Sequence, residues 1–404
     1  MSRVFYMILD SFGIGEAPDA ADFGDIGSST IRSVAGSAHW DCPNLMKLGL
    51  FNIDGVHCTD AEALAGEEVY AALAENPAWS RERWQALRKG CAAPIGSFAR
   101  MRELSKGKDT VIGHWELAGI VSERPMPTFP DGFPADFIRA FEERTGRKCI
   151  VNKPYSGTDI IRDFGVEQHE TGALIVYTSA DSVFQIAANE ADIPVEELYR
   201  YCAIAREMLT GDLAVGRVIA RPYVGDSPEN YVRTSNRHDY AISPFAPTLL
   251  DELKGAGKDV IGVGKINDIF NGQGITEFVR TKDNADGLLK TSGYQEKDFD
   301  GLCFVNLVET DSVYGHRRNI DGYADAVSAF DRWLTDFMPG MRQDDMLIIS
   351  ADHGCDPGYP AHTDHTREYV EFLMYGAQAK RGKNFGTVDG FTFAADRIRE
   401  FLLH

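Results

Sequence analysis

The sequence of 404 residues predicts an α/β protein in which helices cover both faces of a mainly parallel β-sheet. Short apolar segments bounded by polar or glycine residues recur along the chain, which is typical of buried strands. Segments with helical periodicity lie between them. The middle third of the chain opens on the run RPMPTFPDGFP and carries strand and helix signals of its own. This break indicates that a second α/β domain is inserted into the first.

Five apolar segments are predicted as strands. Residues 4–9 end in Asp10 and lead into a glycine-containing loop at residues 11–15. The other four segments share this short apolar pattern and are residues 173–178, 260–264, 302–308 and 346–350. Helices are predicted between the strands, for example over residues 195–209 and 323–337.

Chain length and punctuation together predict the domain organisation. At about 150 residues per domain, the chain has room for two to three domains. We expect a core domain formed by residues 1–125 and 241–404, interrupted by an inserted domain at residues 126–240. Residues 60–90 are rich in Ala, Glu and Arg and are predicted to form a helical insert in the first part of the core.

Charge and cysteine content exclude several classes of protein. Lys and Arg number 41 against 61 Asp and Glu, so the formal net charge is −20. Such an acidic chain is unsuited to non-specific binding of nucleic acid or of an anionic membrane surface. The seven cysteines form no CxxC pair, which argues against a disulfide framework and a structural zinc site. The chain has neither a membrane-length apolar run nor a complete signal segment, so we expect a soluble, cytoplasmic protein.

Polar side chains follow predicted strands at the points where those strands end: Asp10, Asp181, Lys265, Asp311, Asp352 and His353. Ligands of open α/β sheets bind beyond the carboxyl ends of strands, so these residues predict a site at that edge. With His316 and His365, the chain offers three carboxylates and three imidazoles. This mixture suits Zn, Mn or Fe, and two ions can share it. Taken singly, each residue is more often a helix cap, a turn former or a structural hydrogen-bonding group.

A candidate nucleophile lies in the segment SKGKDTVIGHWE at residues 105–116. Asp109 or Thr110 is a natural N-cap for the helix predicted to follow. Alternatively, Thr110 is a nucleophile at the helix N-terminus, where the helix dipole and free amides favour a phosphate or a developing alkoxide. A threonine hydroxyl needs a base or a metal ion to become reactive at neutral pH.

Two further segments concentrate positive charge in this acidic chain. GRVIAR and YVRTSNRHD contain the arginines Arg217, Arg221, Arg233 and Arg237. Guanidinium groups bind phosphate through two parallel hydrogen bonds, so the segments are candidates for a phosphate site. For any single arginine, a surface ion pair with a nearby acid is the commoner role.

Eight segments carry a family resemblance: ILDSFGIGEAPDA, GKDTVIGHWE, YTSADSVFQIA, GRVIARP, RTSNRHDYA, VGKINDI, DSVYGHRR and ADHGCDP with TDHTREY. They closely resemble segments of the bacterial phosphopentomutase family, which belongs to the alkaline phosphatase superfamily. The resemblance runs from residue 1 to about residue 375, apart from residues 60–90. It implies an alkaline-phosphatase-like sandwich of helices around a mainly parallel sheet, with the inserted domain acting as a cap.

The resemblance also implies an isomerase that interconverts α-D-ribose 1-phosphate, or its 2-deoxy analogue, with the 5-phosphate. The reaction implied passes through a phosphothreonine enzyme and a sugar bisphosphate, which also serves as activator. The implied partner is a small sugar phosphate, and the resemblance leaves the oligomeric state open. Rival interpretations are another two-metal phosphomutase or a phosphomonoesterase of the superfamily, and a non-catalytic sugar-phosphate-binding relative.

Roles for individual residues follow from the same resemblance. Two divalent ions, manganese in this family, are implied: one held by Asp10, Asp352 and His353, the other by Asp311, His316 and His365. Thr110 matches the threonine that carries the phosphoryl group. Ser179, Asp181, Arg217, Arg233 and Lys265 match positions that bind the sugar phosphate. His362 is an alternative ligand to His365, which we prefer because TDHTREY matches the family intact.

Overall fold

The computed structural model describes residues 1–56, 91–179 and 182–404. These residues form two compact units, one of Met1–Arg124 with Pro244–His404 and one of Pro125–Ser243. The predicted helical insert at residues 60–90 lies outside the described residues, as does Asp181. Within the described residues, no helix combines the length and the apolar character needed to cross a membrane.

The strands, in chain order, are β1 (Arg3–Leu9), β2 (Gly13–Glu16), β3 (Ser97–Arg102), β4 (Cys149–Pro154), β5 (Leu174–Thr178), β6 (Val183–Asn189), β7 (Arg217–Val224), β8 (Val232–Arg233), β9 (His238–Ala241), β10 (Asp259–Val263), β11 (Glu277–Val279), β12 (Gly301–Leu307), β13 (Asp345–Ser350), β14 (Glu368–Gly376) and β15 (Lys383–Asp389). The α-helices of the described residues are α1 (Thr30–Ala35), α2 (Pro43–Leu48), α3 (Thr110–Leu117), α4 (Ala135–Thr145), α5 (Asp159–Thr171), α6 (Val195–Met208), α7 (Leu249–Gly255), α8 (Ile266–Ile269), α9 (Asn284–Glu296), α10 (Ile320–Phe337) and α11 (Thr392–Leu403).

The larger unit is organised around β1. Its strands are ordered β11-β10-β12-β1-β13-β14-β3-β15, and β2 pairs with β14. From β11 to β13 every pairing is parallel, whereas β14 runs antiparallel to both of its neighbours in this order. Every residue of β1 is buried, because parallel strands at the centre of a sheet are covered on both faces. The predicted α/β fold with a mainly parallel central sheet is confirmed.

The smaller unit has a sheet of its own, ordered β4-β5-β6-β7-β8, with β9 paired to β7. One face packs on α4 and α6 through an apolar cluster that includes Phe137, Phe184 and Leu198. The other face packs on α5 through a cluster that includes Ile160 and Tyr177. This unit therefore contains hydrophobic cores made from its own residues.

All five predicted strand segments are strands in the structure, and both named helices are present as α6 and α10. The segment at 173–178 is β5, which belongs to the sheet of the smaller unit rather than to the sheet that contains β1. The apolar pattern identifies a buried strand but carries no information about which sheet it joins, because pairing partners lie far away in sequence.

Candidate metal centre

Three parallel neighbours, β12, β1 and β13, bring their carboxyl ends to one edge of the sheet. Asp10 follows β1 directly, and Asp352 and His353 come just after β13. Asp311 lies in a π-helical turn, Thr310–Gly315, that follows β12. Four of the polar residues predicted at strand ends, Asp10, Asp311, Asp352 and His353, are therefore brought together by parallel pairing.

Asp10, Asp352 and His353 form one cluster of ligand atoms, which lie within 4.8 Å of one another. The Nε2 atom of His353 lies 3.7 Å from Oδ1 of Asp10 and 3.4 Å from Oδ2 of Asp352. All three side chains are buried. The amide of Ser11, which has a left-handed backbone at φ 69°, donates to Oδ1 of Asp352 and helps to fix that carboxylate.

A second cluster surrounds Asp311. Its Oδ1 atom lies 3.4 Å from Nε2 of His316 and 3.3 Å from Nε2 of His365. Ligand atoms of Asp311, His353 and His365 lie within 4.8 Å of one another, and so do those of Asp311, His316 and Cys355. His353 thus borders both clusters. Cys355 is a further candidate ligand in the second cluster, and the sequence pattern did not identify it.

The three imidazoles are oriented in the same way. His353, His365 and His316 each place Nδ1 against a backbone carbonyl, those of Gly354, Lys108 and Thr363, at 3.0, 2.9 and 2.6 Å. Donation from Nδ1 leaves Nε2 facing the carboxylates. This is the arrangement typical of histidines that ligate metal ions.

The carboxylates themselves fit a cation. Oδ1 of Asp10, Oδ1 of Asp311 and Oδ2 of Asp352 are buried, and the groups beside them in the described residues are imidazole nitrogens 3.0–3.7 Å away. Burial, followed by the charges of Asp352 and Asp311, raises the pKa of Asp10 well above its usual value, and the charge of Lys265 offsets this in part. Buried anionic oxygens this close together are stabilised by positive charge. The donor set of carboxylates and imidazoles suits a first-row divalent ion.

The imidazoles respond differently to this environment. Burial lowers the pKa of His353 to about 4. Burial also lowers the pKa of His365, but the hydrogen bond to Asp311 and its charge outweigh burial and raise that pKa to about 9. Without a metal ion, the imidazole of His365 is therefore positively charged at neutral pH, whereas that of His353 is neutral.

Thr110 is the first residue of α3, and its Oγ1 lies 3.1 Å from Nε2 of His353. The N-cap is Asp109, whose Oδ1 accepts hydrogen bonds from the amides of Val111 and Ile112 at 3.1 Å. We expected free amides at this helix N-terminus to be available to a phosphate, but these two already donate to the side chain of Asp109. The N-cap role falls to Asp109, which leaves the hydroxyl of Thr110 facing the cluster.

His362 lies apart from both clusters. Its Nε2 lies 2.7 Å from Oδ1 of the buried Asp25, which also pairs with Nζ of Lys108 at 3.0 Å. Of the two histidines considered for one ligand position, His365 is the one whose ring faces Asp311. Lys265 lies two residues after β10, where it is exposed and directly precedes α8.

The remaining candidates lie in the smaller unit. Ser179 follows β5, and Arg217 begins β7 with Nη1 3.8 Å from Oδ2 of Asp239. Nη2 of Arg233 donates to Oγ1 of Thr158 at 3.2 Å, directly before α5. Asp181 is outside the described residues.

A buried phenol, which the sequence did not suggest, lies beside Arg233. The hydroxyl of Tyr177 is buried and has no hydrogen-bond partner among the described residues. Burial raises the pKa of Tyr177, while the charges of Arg221, Arg233 and Arg237 lower it in part. The charges of three of the four arginines therefore act on one buried polar atom, which is consistent with a site for an anion.

Comparison with known proteins identifies the family of the chain. A family model of the metalloenzyme superfamily matches residues 2–404. A phosphopentomutase of Lachnoclostridium phytofermentans is 54% identical over 401 residues, covering 99% of this chain and 95% of the relative. Phosphopentomutases of Clostridium kluyveri and Clostridioides difficile are 49% and 47% identical, each covering 100% of this chain and 96% of the relative. Since these matches run the full length at about half identity, the chain belongs to the phosphopentomutase family of the metalloenzyme superfamily.

Proposed function

We propose that this enzyme interconverts α-D-ribose 1-phosphate, or its 2-deoxy analogue, with the 5-phosphate by way of a phosphorylated Thr110. The observation that carries the proposal is the position of Oγ1 of Thr110, 3.1 Å from Nε2 of His353, beside two clusters of candidate metal ligands. A hydroxyl beside a divalent cation site is placed to accept and return a phosphoryl group.

The reaction divides into two half-reactions. In the first, the P–O bond to Oγ1 of Thr110 breaks as the free hydroxyl oxygen of the sugar monophosphate bonds to phosphorus, which yields a sugar bisphosphate. The proton lost by the sugar hydroxyl is balanced by the proton that Oγ1 gains, so Thr110 is left as a free hydroxyl. In the second, the other phosphate of the bisphosphate returns to Oγ1, so one phosphate has changed position and the enzyme is regenerated. A sugar bisphosphate added in catalytic amounts would load Thr110 at the start.

The chain has candidate ligands for two divalent ions, and we predict that both ions are manganese. Asp10, Asp352 and His353 would hold one, and Asp311, His316 and His365 the other. When bound, such ions neutralise phosphoryl oxygens and lower the pKa of the reacting hydroxyl. The Nδ1 hydrogen bonds of the imidazoles to backbone carbonyls support this assignment, because they fix the tautomer that ligation needs.

The smaller unit supplies the candidate residues for the phosphate that does not react. Arg233, with Arg217, Ser179 and Asp181 of this unit and Lys265 of the larger unit, is proposed to bind the sugar phosphate. The buried hydroxyl of Tyr177, whose pKa is lowered in part by the charges of Arg221, Arg233 and Arg237, supports an anion site in this unit. We propose that the unit acts as a cap that excludes water, so that transfer to the sugar outcompetes hydrolysis.

The test is to incubate the Mn²⁺-loaded enzyme with ribose 5-phosphate and a catalytic amount of ribose bisphosphate. Ribose 1-phosphate should accumulate without stoichiometric release of inorganic phosphate, and mass spectrometry should locate phosphate on Thr110. Thr110→Ala should lose turnover and phosphorylation while it retains two Mn²⁺ ions. Thr392→Ala is a matched control, because Thr392 is likewise the first residue of a helix.

Different results would favour the rival functions. Phosphate release equal to substrate consumption would identify a phosphomonoesterase. Metal binding without turnover of any sugar phosphate would identify a non-catalytic relative. Phosphate on another residue, together with an active Thr110→Ala variant, would contradict the role of Thr110. The cytoplasmic location stays a prediction.

A further inference from the structure

A fully buried histidine, His114, connects the candidate nucleophile to the candidate metal ligands. Its Nδ1 atom lies 2.9 Å from the carbonyl oxygen of Thr110 and 3.0 Å from Oδ2 of Asp352. On the other side of the ring, Nε2 lies 3.2 Å from Nδ2 of Asn306. The same Nδ2 donates to Oδ2 of Asp10 at 2.8 Å.

The direction of these hydrogen bonds follows from their partners. Nδ2 of Asn306 has two hydrogens, one for Asp10 and one for Nε2 of His114. An acceptor at Nε2 requires the hydrogen of the neutral imidazole to sit on Nδ1, where it faces the Thr110 carbonyl at 2.9 Å and Oδ2 of Asp352 at 3.0 Å. The reverse orientation of the Asn306 amide would place two oxygens against each other at Asp10. A single buried series of hydrogen bonds therefore runs from Thr110 through His114 and Asn306 to Asp10.

We propose that His114 is a positioning residue that sets the distance between the Thr110 hydroxyl and the Asp10, Asp352 and His353 cluster. The proposal rests on the proposed function of Thr110. The Nε2 atom of His114 supports Asp10 through Asn306, and its Nδ1 atom contacts the first turn of α3. A ring that only filled space would not connect its two nitrogens to the two parts of the same site.

Two substitutions separate these two sides. In His114→Gln the side-chain oxygen can replace Nε2 as acceptor for Asn306, whereas the donor to Thr110 is lost. In His114→Asn the side-chain amide can replace Nδ1 as donor to Thr110, whereas Asn306 loses its acceptor. Each variant therefore preserves what the other removes, which makes them matched controls.

The measurement is calorimetric titration of Mn²⁺ into metal-free protein, together with kcat and KM. His114→Asn should weaken one of the two ions about 10- to 100-fold, and excess Mn²⁺ should restore its activity. His114→Gln keeps the support of Asp10 through Asn306 but loses the nitrogen beside Oδ2 of Asp352, so it should weaken Mn²⁺ less than His114→Asn does. Its kcat should fall in a way that excess Mn²⁺ does not restore.

A further variant tests the connection through Asn306. Because His114 and Asn306 act on Asp10 in series, Asn306→Ala combined with His114→Asn should weaken Mn²⁺ no more than the larger single loss. Additive losses would overturn the proposal. The proposal would also be overturned if His114→Asn bound both Mn²⁺ ions with wild-type affinity. Equal loss of both ions in both variants, together with a lowered unfolding temperature, would likewise overturn it, because that result describes a purely structural histidine. These titrations need no substrate, so their outcome is independent of whether the chain proves to be a mutase.

Discussion

The closeness of α3 to the backbone of Asp352 makes Gly113→Ala a demanding test of the site. A Cβ atom at residue 113 would lie 2.1 Å from the carbonyl oxygen of Asp352 and 2.9 Å from its carbonyl carbon. Both atoms belong to the backbone of Asp352, a candidate metal ligand, so rotation of a side chain cannot relieve the contact. The glycine is what allows Thr110 and His353 to approach each other.

The size of the effect follows from that distance. Cβ contacts below 3.0 Å essentially do not occur, so α3 and residue 352 must separate by about 0.9 Å or more. A misplacement of about 1 Å at a reacting group costs roughly 100-fold in rate. Overpacking of a buried position also destabilises the fold by about 1–3 kcal/mol. We therefore expect kcat to fall about 100-fold, with a modest loss of stability.

The assay measures kcat with saturating Mn²⁺, at a temperature where circular dichroism shows both proteins fully folded. Gly293→Ala is the matched control, because Gly293 lies within α9 and a Cβ there meets no atom within 4 Å. That control should keep its kcat and gain up to about 1 kcal/mol from helix propensity. A Gly113→Ala enzyme with wild-type kcat would refute the reasoning.

Three further perturbations have defined outcomes. Arg233→Ala should lower kcat/KM about 10- to 100-fold, the value of a charged hydrogen bond, and raise phosphate release relative to transfer; if neither changes, Arg233 is a surface residue only. Burial lowers the pKa of His365, but its hydrogen bond to Asp311 raises it to about 9, so an incoming ion displaces a proton below that pH. Mn²⁺ affinity should therefore rise up to tenfold per pH unit from pH 7 to pH 9 and then level off. At pH 7.5, binding of the ion to His365 should release about one proton. Calorimetry in two buffers of different ionisation enthalpy would contradict this if it detected no proton release. Chelation of divalent ions should lower the melting temperature, because the buried carboxylates around Asp10 then repel one another, and Mn²⁺ should restore it; an unchanged melting temperature would count against two bound ions.

The strand ends around the site were predictable because a buried parallel strand is a continuous apolar run that stops at a polar residue. This pattern located β1, β12 and β13 within a residue at each end. Parallel pairing of these neighbours then accounts for the meeting of Asp10 and Asp352. The roles of individual ligands depended on the family resemblance and stay predictions.

Other features were beyond the sequence because they depend on contacts between distant segments. Periodicity does not distinguish the sheet of β5 from the sheet of β1, and it did not indicate the antiparallel strand β14. The choice between His362 and His365 depends on Asp25, more than 300 positions away. The hydroxyl of Tyr177 lies at the end of an apolar run that reads as core alone, and only the fold brings Arg221 and Arg233 beside it.

The central position of β1 has a consequence for how the protein is made. Arg3 pairs with Gly301 on one side and Asp345 on the other, so both partners of β1 are synthesised about 300 residues later or more. At about 5–20 residues per second, β1 waits on the order of tens of seconds after leaving the ribosome. The segment Pro125–Ser243 is continuous and contains its own cores, so it can fold during that interval. Arg3–Leu9 is an apolar strand that lacks both pairing partners throughout that interval, so it is a segment that a chaperone has reason to shield.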